Sequence, residues 1–346
     1  MTGLLPTIAY GTGAGVEWEV LNQEVKDLFH AADYDRALVV AQKALEVAEE
    51  NVGPDHPDVA SSLNNLAELY HAQANYAAAE PLHKRALAIR EKALGPDHPD
   101  VALSLNNLAE LHRAQANYAA AEPLHKRALA IREKALGPDH PDVALSLNNI
   151  AELYRAQANY AAAEPLHKRA LAIREKALGP DHPSVATSLV NLAGLYNAQA
   201  NYAAAEPLYK RALAIKEKAL GPDHPDVATS LNNLASLYHD QANYAAAEPL
   251  YKRSLAIWET ALGPDHPDVA TGLNNLAFLY HDQANYAAAE PLYKRSLAIR
   301  ETALGPDHPD VATVLKNLSL MYQQMGRSEE ADSLLTRAQR IRAINR

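Results

Sequence analysis

No cysteine occurs anywhere in this 346-residue chain. That removes disulfides, thiolate metal sites and cysteine nucleophiles, and it suits a reducing compartment, so a cytoplasmic protein is expected. No apolar run approaches the ~20 residues of a membrane-spanning helix, and no membrane partner is expected. The opening stretch MTGLLPTIAYGTGAGVEW has neither the basic start nor the apolar core of a secretory signal, and residues 1–15 read as a flexible tail. Positive charge is in deficit: the net charge is −10, with an isoelectric point near 5.8. A nucleic-acid binder would want a basic face, so no nucleic-acid partner is expected. No GxSxG, HExxH, Walker or GxGxxG pattern occurs either, and no convergent cluster of titratable groups suggests catalysis. The chain reads as a non-enzyme without cofactor or metal.

Phenylalanine occurs only twice, and valine and isoleucine are sparse. What fills the chain is Ala, Leu, Glu, Lys and Arg, a helix-forming alphabet. It is also strictly ordered. The pentapeptide GPDHP starts at Gly53, Gly95, Gly137, Gly179, Gly221, Gly263 and Gly305, a spacing of 42 residues, and nearly everything between copies recurs with it. A fixed period in this range means stacked supersecondary units rather than one closed core. Such arrays offer long regular surfaces, which favours binding over chemistry.

Residues 95–136 show the unit. Pro99, Asp100 and Val101 open a helix, with His98 or Asp97 as its cap. Leu105, Leu108, Ala109 and Leu111 follow at helical spacing, and the helix ends near Ala116. Asn117 caps a second helix carrying Tyr118, Ala121, Leu124, Ala128, Leu129 and Ile131, which stops at Gly137-Pro138. Pro123 and its equivalents lie inside that second helix, where a slight bend is expected. Ala109, Ala121 and Ala128 fall where helices must approach closely.

The loop histidines of GPDHP sit on successive loops. Stacked helices lie ~10 Å apart, too far for shared metal coordination at about 2 Å, so capping is the better role. His83, His125 and His167 share their register position with Tyr209, Tyr251 and Tyr293. A site that accepts tyrosine reads as packing rather than metal ligation.

The pattern closely resembles the tetratricopeptide repeat. Leu63, Leu66, Ala67, Tyr70, Ala79 and Ala86 match the motif of that family in order, as do Leu147, Ile150, Ala151, Tyr154, Ala163 and Ala170. The longer period, with LNNLA, NYAAAEPLYKRALAI and LGPDHPDVA, is similar to the repeats of kinesin light chains and their prokaryotic relatives. The resemblance spans residues ~16 to ~344. It implies an all-α, right-handed α–α superhelix of about eight units. The units are 16–52, 57–94, 99–136, 141–178, 183–220, 225–262, 267–304 and 309–344, the first degenerate and the last polar as a cap. First helices would line the concave face, and the whole of 16–346 would form one solenoid.

The same resemblance implies what the concave face does. The family's inward positions here include the asparagine pair of LNNLA. The first member is Asn64, Asn106, Asn148, Asn232 and Asn274, and the second includes Asn107, Asn149, Asn191, Asn233 and Asn275. Asparagine carries donor and acceptor, so a ladder of it can hold the backbone of an extended peptide, as such residues do in related light-chain repeats. The first asparagine is assigned to the ligand. For the second, ligand binding and tying adjacent helices together stand equal. Beyond the pair the copies diverge. One position runs Glu68, Glu110, Glu152, Gly194, Ser236, Phe278, Leu320, and another His71, Arg113, Arg155, Asn197, His239, His281, Gln323. An anchor of the ligand would sit near Gly194, Ser236 and Phe278. The expected function is a protein–protein interaction scaffold binding an extended peptide or partner segment. The alternatives are a self-associating structural array, with weak self-association, and a sensor module of a larger signalling protein.

Overall fold

A computed structural model describes residues 13–344. Among them are sixteen helices and no strand, arranged as antiparallel pairs. The first pair is α1 (Gly15–His30) and α2 (Tyr34–Val52). Then follow α3 (Pro57–Ala72) with α4 (Tyr76–Leu94), α5 (Pro99–Ala114) with α6 (Tyr118–Leu136), and α7 (Pro141–Ala156) with α8 (Tyr160–Leu178). The second half repeats the scheme: α9 (Pro183–Ala198) and α10 (Tyr202–Leu220), α11 (Pro225–Asp240) and α12 (Tyr244–Leu262). It closes with α13 (Pro267–Asp282) and α14 (Tyr286–Leu304), then α15 (Pro309–Gln324) and α16 (Ser328–Ile344). The chain divides into two compact units, one ending at Ala177 and the other beginning at Leu178.

Most of the tail expected at the N-terminus, residues 1–12, lies outside the described residues. Ordered structure has begun by Ala14, which is fully buried and donates its N–H to Asp58 Oδ2 at 3.1 Å.

Each helix boundary has a local cause. His98 is the cap of α5: its Nδ1 accepts the N–H of Asp100 at 3.2 Å, and Pro99 supplies a first residue with no N–H to satisfy. The same His cap opens α3, α7, α9, α11, α13 and α15. This leaves Nδ1 unprotonated and fixes the tautomer. Between the helices of a pair the chain reverses through a residue with left-handed backbone, Ala116 at φ 56° and its equivalents, followed in the six central pairs by an asparagine such as the cap Asn117 and in the first by Asp33. The second helices end where Gly137 and its counterparts take φ near 88°. Pro123 lies well inside α6, which continues unbroken through it. It leaves the carbonyl of Ala119 without an intrahelical donor.

Small residues set the helix separation. Ala109, Ala121 and Ala128 are fully buried; Ala109 and Ala121 pack with Leu153, and Ala128 packs with Val101, Ala102 and Leu105. A larger side chain at such a crossing typically costs about 1–3 kcal/mol. Polar bonds then stitch one pair to the next. Arg90, only 5% exposed, donates through Nη1 to the carbonyl of Asp100 and to Ser104 Oγ, and through Nη2 to Ser61 Oγ. Burial lowers its pKa despite the nearby Asp100, so the hydrogen bonds offset a real desolvation cost. Tyr154 donates to Glu122, and in the second unit Tyr238 donates to Glu206.

Candidate functional site

The residues predicted to meet a ligand sit on the first helices, in three layers of depth. Deepest are the first asparagines. Asn64, Asn106 and Asn148 are 1–4% exposed, and their Oδ1 atoms lie 2.9–3.0 Å from Nδ1 of His83, His125 and His167 on the partner helix. Asn232 and Asn274 are also buried, and their Oδ1 atoms accept from Asn275 and Asn317 at 3.0 and 3.1 Å. The carboxamide oxygen of the first asparagine is thus engaged inside the fold. The expected open ladder of first asparagines is not what the helices present: their oxygens are taken by neighbours inside the fold, although Asn106 Nδ2 is buried without a partner.

The second asparagines lie shallower. Asn107, Asn149, Asn191, Asn233 and Asn275 are half-buried. Where they bond within the fold they cross to the preceding first helix, as Asn275 does to Asn232 and as Asn65 does to Asn22 at 2.8 Å. Tying helices together is therefore visible for the second position, and its partial exposure leaves room for a ligand as well.

The outermost layer differs between the units. In the first, a carboxylate, a histidine and a base form a chain. Glu110 bonds Arg113 at 2.7 Å and faces His125 Nε2 at 3.3 Å; Glu152 bonds Arg155 at 2.6 Å and faces His167 Nε2 at 3.4 Å. Burial works to raise Glu152, but the hydrogen bonds from His167 and Arg155 outweigh it and hold the carboxyl at about 2. Burial, with a smaller push from His71, brings His83 down to about 4 against the pull of Glu68. The chain Asn–His–Glu escaped the sequence reading, which took the histidine for packing. Its signal was the exchange of His for Tyr at Tyr209, Tyr251 and Tyr293, where the residue 15 positions earlier ceases to be Glu.

In the second unit tyrosine takes the histidine's place. The space expected to be open at Gly194 has the Tyr209 hydroxyl 3.6 Å from where a Cβ would stand. Ser236 hydrogen-bonds Tyr251, whose hydroxyl burial pushes to a higher pKa. Those two positions are thus occupied from within. At Phe278 the pattern changes: the ring is 36% exposed, and it stacks edge-on against His239 at 5.0 Å and His281 at 6.0 Å. His239 Nε2 lies 2.9 Å from Asp282 Oδ2, and Asn197 donates to Asp240 Oδ2 at 2.7 Å. Leu320, at the register position of Phe278 on α15, is 40% exposed.

Among the described residues no group of three or more His, Asp or Glu is placed to hold a metal ion, and no helix is long and apolar enough to cross a membrane.

Paired helices, small residues at their crossings and tyrosines at most seams, with His112 at one, define a helical repeat protein. The tetratricopeptide repeat model matches in overlapping stretches, 20–92, 73–134, 100–176, 142–218, 184–260, 226–302 and 268–343, and the chain belongs to that family. No curated protein matches the chain. Among solved structures it is similar to BtubC (BKLC) from P. vanneervenii, with 25% identity, 67% of this chain and 91% of that one covered, and a TM-score of 0.51. A Podosopora anserina protein of nearly identical TPR-like repeats, of kinesin-light-chain type, is 29% identical over 59% of this chain and 97% of that one, with a TM-score of 0.50. A Rap protein complexed with Competence and Sporulation Factor shares the fold, at 17% identity, 95% and 99% coverage and a TM-score of 0.56.

Proposed function

We propose that this chain is a non-catalytic scaffold that binds an extended peptide segment of a partner protein along the first helices of each unit. One observation carries the reading. The repeats are nearly identical elsewhere, yet they change chemistry along one stripe of the first helices: Glu68, Glu110 and Glu152 give way to Gly194, Ser236, Phe278 and Leu320, with His71, Arg113, Arg155 and Asn197 and the buried His239 and His281 changing beside them. Part of this exchange is matched inside, where Tyr209, Tyr251 and Tyr293 replace His83, His125 and His167, but Phe278 and Leu320 stand 36% and 40% exposed. Half-buried asparagines run alongside and offer donor and acceptor to a peptide backbone.

The test is a random-peptide display selection on the wild-type chain and on a variant with Asn107, Asn149, Asn233 and Asn275 changed to Ala, its folding checked by circular dichroism. A shared motif on the wild type that is lost on the folded variant is the expected result. No enrichment on the wild type, or the same motif on both, overturns the reading.

Self-association is the second reading. It is favoured by apolar side chains standing in solvent at the ends of the helix order, Val16 and Val20 on α1 and Ile344 on α16, each more than 60% exposed. Light scattering that finds a monomer at high concentration removes it.

A further inference from the structure

We infer that the first-helix face of the second unit takes a segment bearing a bulky apolar side chain beside a lysine or arginine, the apolar group seated on Phe278 and Leu320 and the cation on Asp240 and Asp282. The inference rests on the peptide-binding reading above and gives that site its ligand chemistry.

Three independent features converge there. The first is apolar exposure. Phe278 and Leu320 occupy one register position on α13 and α15, where the first unit carries glutamate, and both side chains stand in solvent. An apolar anchor with a polar rim is the usual form of a binding hot spot.

The second is unspent hydrogen-bonding capacity beneath that surface. His281 is 5% exposed, its ring centre lies 6.0 Å from that of Phe278, and neither ring nitrogen has a hydrogen-bond partner. The reason is a single exchange. His239 bonds Asp282, but the residue one repeat further is Gln324, whose Oε1 already accepts from the Tyr286 hydroxyl at 3.0 Å. The Tyr293 hydroxyl is likewise buried without a partner, whereas Tyr251 one repeat earlier bonds Ser236. Other buried polar atoms also stand without a partner, Asn106 Nδ2 and Trp258 Nε1 among them, but of the described residues only His281 lacks one at both of its side-chain polar atoms, and a ligand placed over Phe278 can supply what the fold does not.

The third is charge. Asp240 and Asp282 are exposed at a position that is alanine in the four preceding repeats, Ala72, Ala114, Ala156 and Ala198. In the first unit the arginines of this face are neutralised by glutamates of their own helix, Arg113 by Glu110 and Arg155 by Glu152. In the second unit the face carries these two carboxylates, the histidines and one cation, Lys316, which precedes Leu320 on α15. That arrangement places the ligand's base toward α11 and α13 and its apolar group toward α15, since opposite charges across an interface fix register.

The test uses short acetylated and amidated glycine–serine peptides in isothermal titration calorimetry at about 0.15 M salt, where long-range attraction to an acidic protein is screened beyond ~8 Å. One probe carries Lys-Phe-Lys, a second Glu-Phe-Glu, a third Lys-Ser-Lys. The first should bind at least about tenfold more tightly than either other. Asp240→Asn with Asp282→Asn should cut the preference for lysine over glutamate flanks to under about threefold, while Phe278→Ser should cut the preference for phenylalanine over serine. These side chains are exposed, and circular dichroism confirms that the variants fold. Equal or tighter binding of the Glu-Phe-Glu probe, or no saturable binding of the Lys-Phe-Lys probe, overturns the inference. If a display selection still yields a motif in that case, the groove reading survives alone. If it yields none, both fall.

Discussion

The indole of Trp258 lies against Gly272: a Cβ at that glycine would stand 3.2 Å from both Cε3 and Cζ3 of the ring. In four other repeats these two register positions carry a base and a serine, such as Arg90 donating to Ser104 Oγ at 2.9 Å, while the first pairs Ala48 with Ser62 and the last Arg300 with Val314. One repeat thus exchanges a polar pair for an apolar one in which the smaller residue makes room for the larger. Gly272→Ser alone should destabilise the second unit by about 1–3 kcal/mol through overpacking. Adding Trp258→Arg should recover most of that loss by restoring the pair used elsewhere. Urea unfolding of the two single variants and the double variant measures the coupling, and additive losses would show that the two sites do not sense each other.

Acid should weaken the first unit before it weakens a variant lacking one histidine. Burial holds His83 at about 4 in the fold, while an unfolded histidine titrates near ~6.5. A folded pKa below the unfolded one means that the contribution is complete above pH ~6.5 and is lost as pH falls through about 4. The window between them is worth about 3 kcal/mol. His83→Gln should flatten the fall of the denaturation midpoint across that window. The charges facing the ring, Glu68 and His71, remain in the variant, so an unchanged slope would assign the sensitivity elsewhere.

The fold was legible because its determinants are local and repeated. His98, Pro99, Asn117 and Gly137 set boundaries by capping chemistry that needs no knowledge of neighbours, and the structure places each in that role. The candidate site was less legible because its determinants lie between helices. Asn106 looked like a groove residue until His125 closed on it, and Gly194 looked like open space until the Tyr209 hydroxyl stood over it. Which side of a helix a polar residue serves depends on the residue opposite, and that pairing is set by tertiary contact. Phe278 stands out in the sequence because an aromatic breaks a pattern that is otherwise Glu, Gly, Ser or Leu.

The two asparagines of one repeat should separate cleanly in stability. Asn148 is 2% exposed, with its Oδ1 2.9 Å from His167 Nδ1. Asn148→Ala strips a buried imidazole of that bond, at about 1–3 kcal/mol. Asn149 is half-buried, and Asn149→Ala should stay within about 1 kcal/mol, the net worth of an ordinary hydrogen bond. Chemical denaturation followed by circular dichroism compares them. Equal losses would mean that the second asparagine is as structural as the first, and would move the peptide-binding role off the asparagines onto residues such as Arg113 and Phe278.

The inner turns hold a residual strain that one substitution should relieve. Ala74, Ala116, Ala158, Ala200, Ala242 and Ala284 take φ near +56°, and only the last repeat places a glycine there, Gly326 at +76°. For a residue with a Cβ this region costs about 1–2 kcal/mol. Glycine removes that cost but enlarges the entropy of the unfolded chain, which takes back about 0.4–1 kcal/mol. Ala116→Gly should therefore stabilise the protein by a few tenths to about 1 kcal/mol, whereas the same change at Ala109, buried at a helix crossing, should destabilise it by about 1 kcal/mol. Opposite signs for one chemical substitution distinguish backbone strain from helix propensity. A loss of stability at both sites would show that the turn alanine contributes more by packing than its backbone costs.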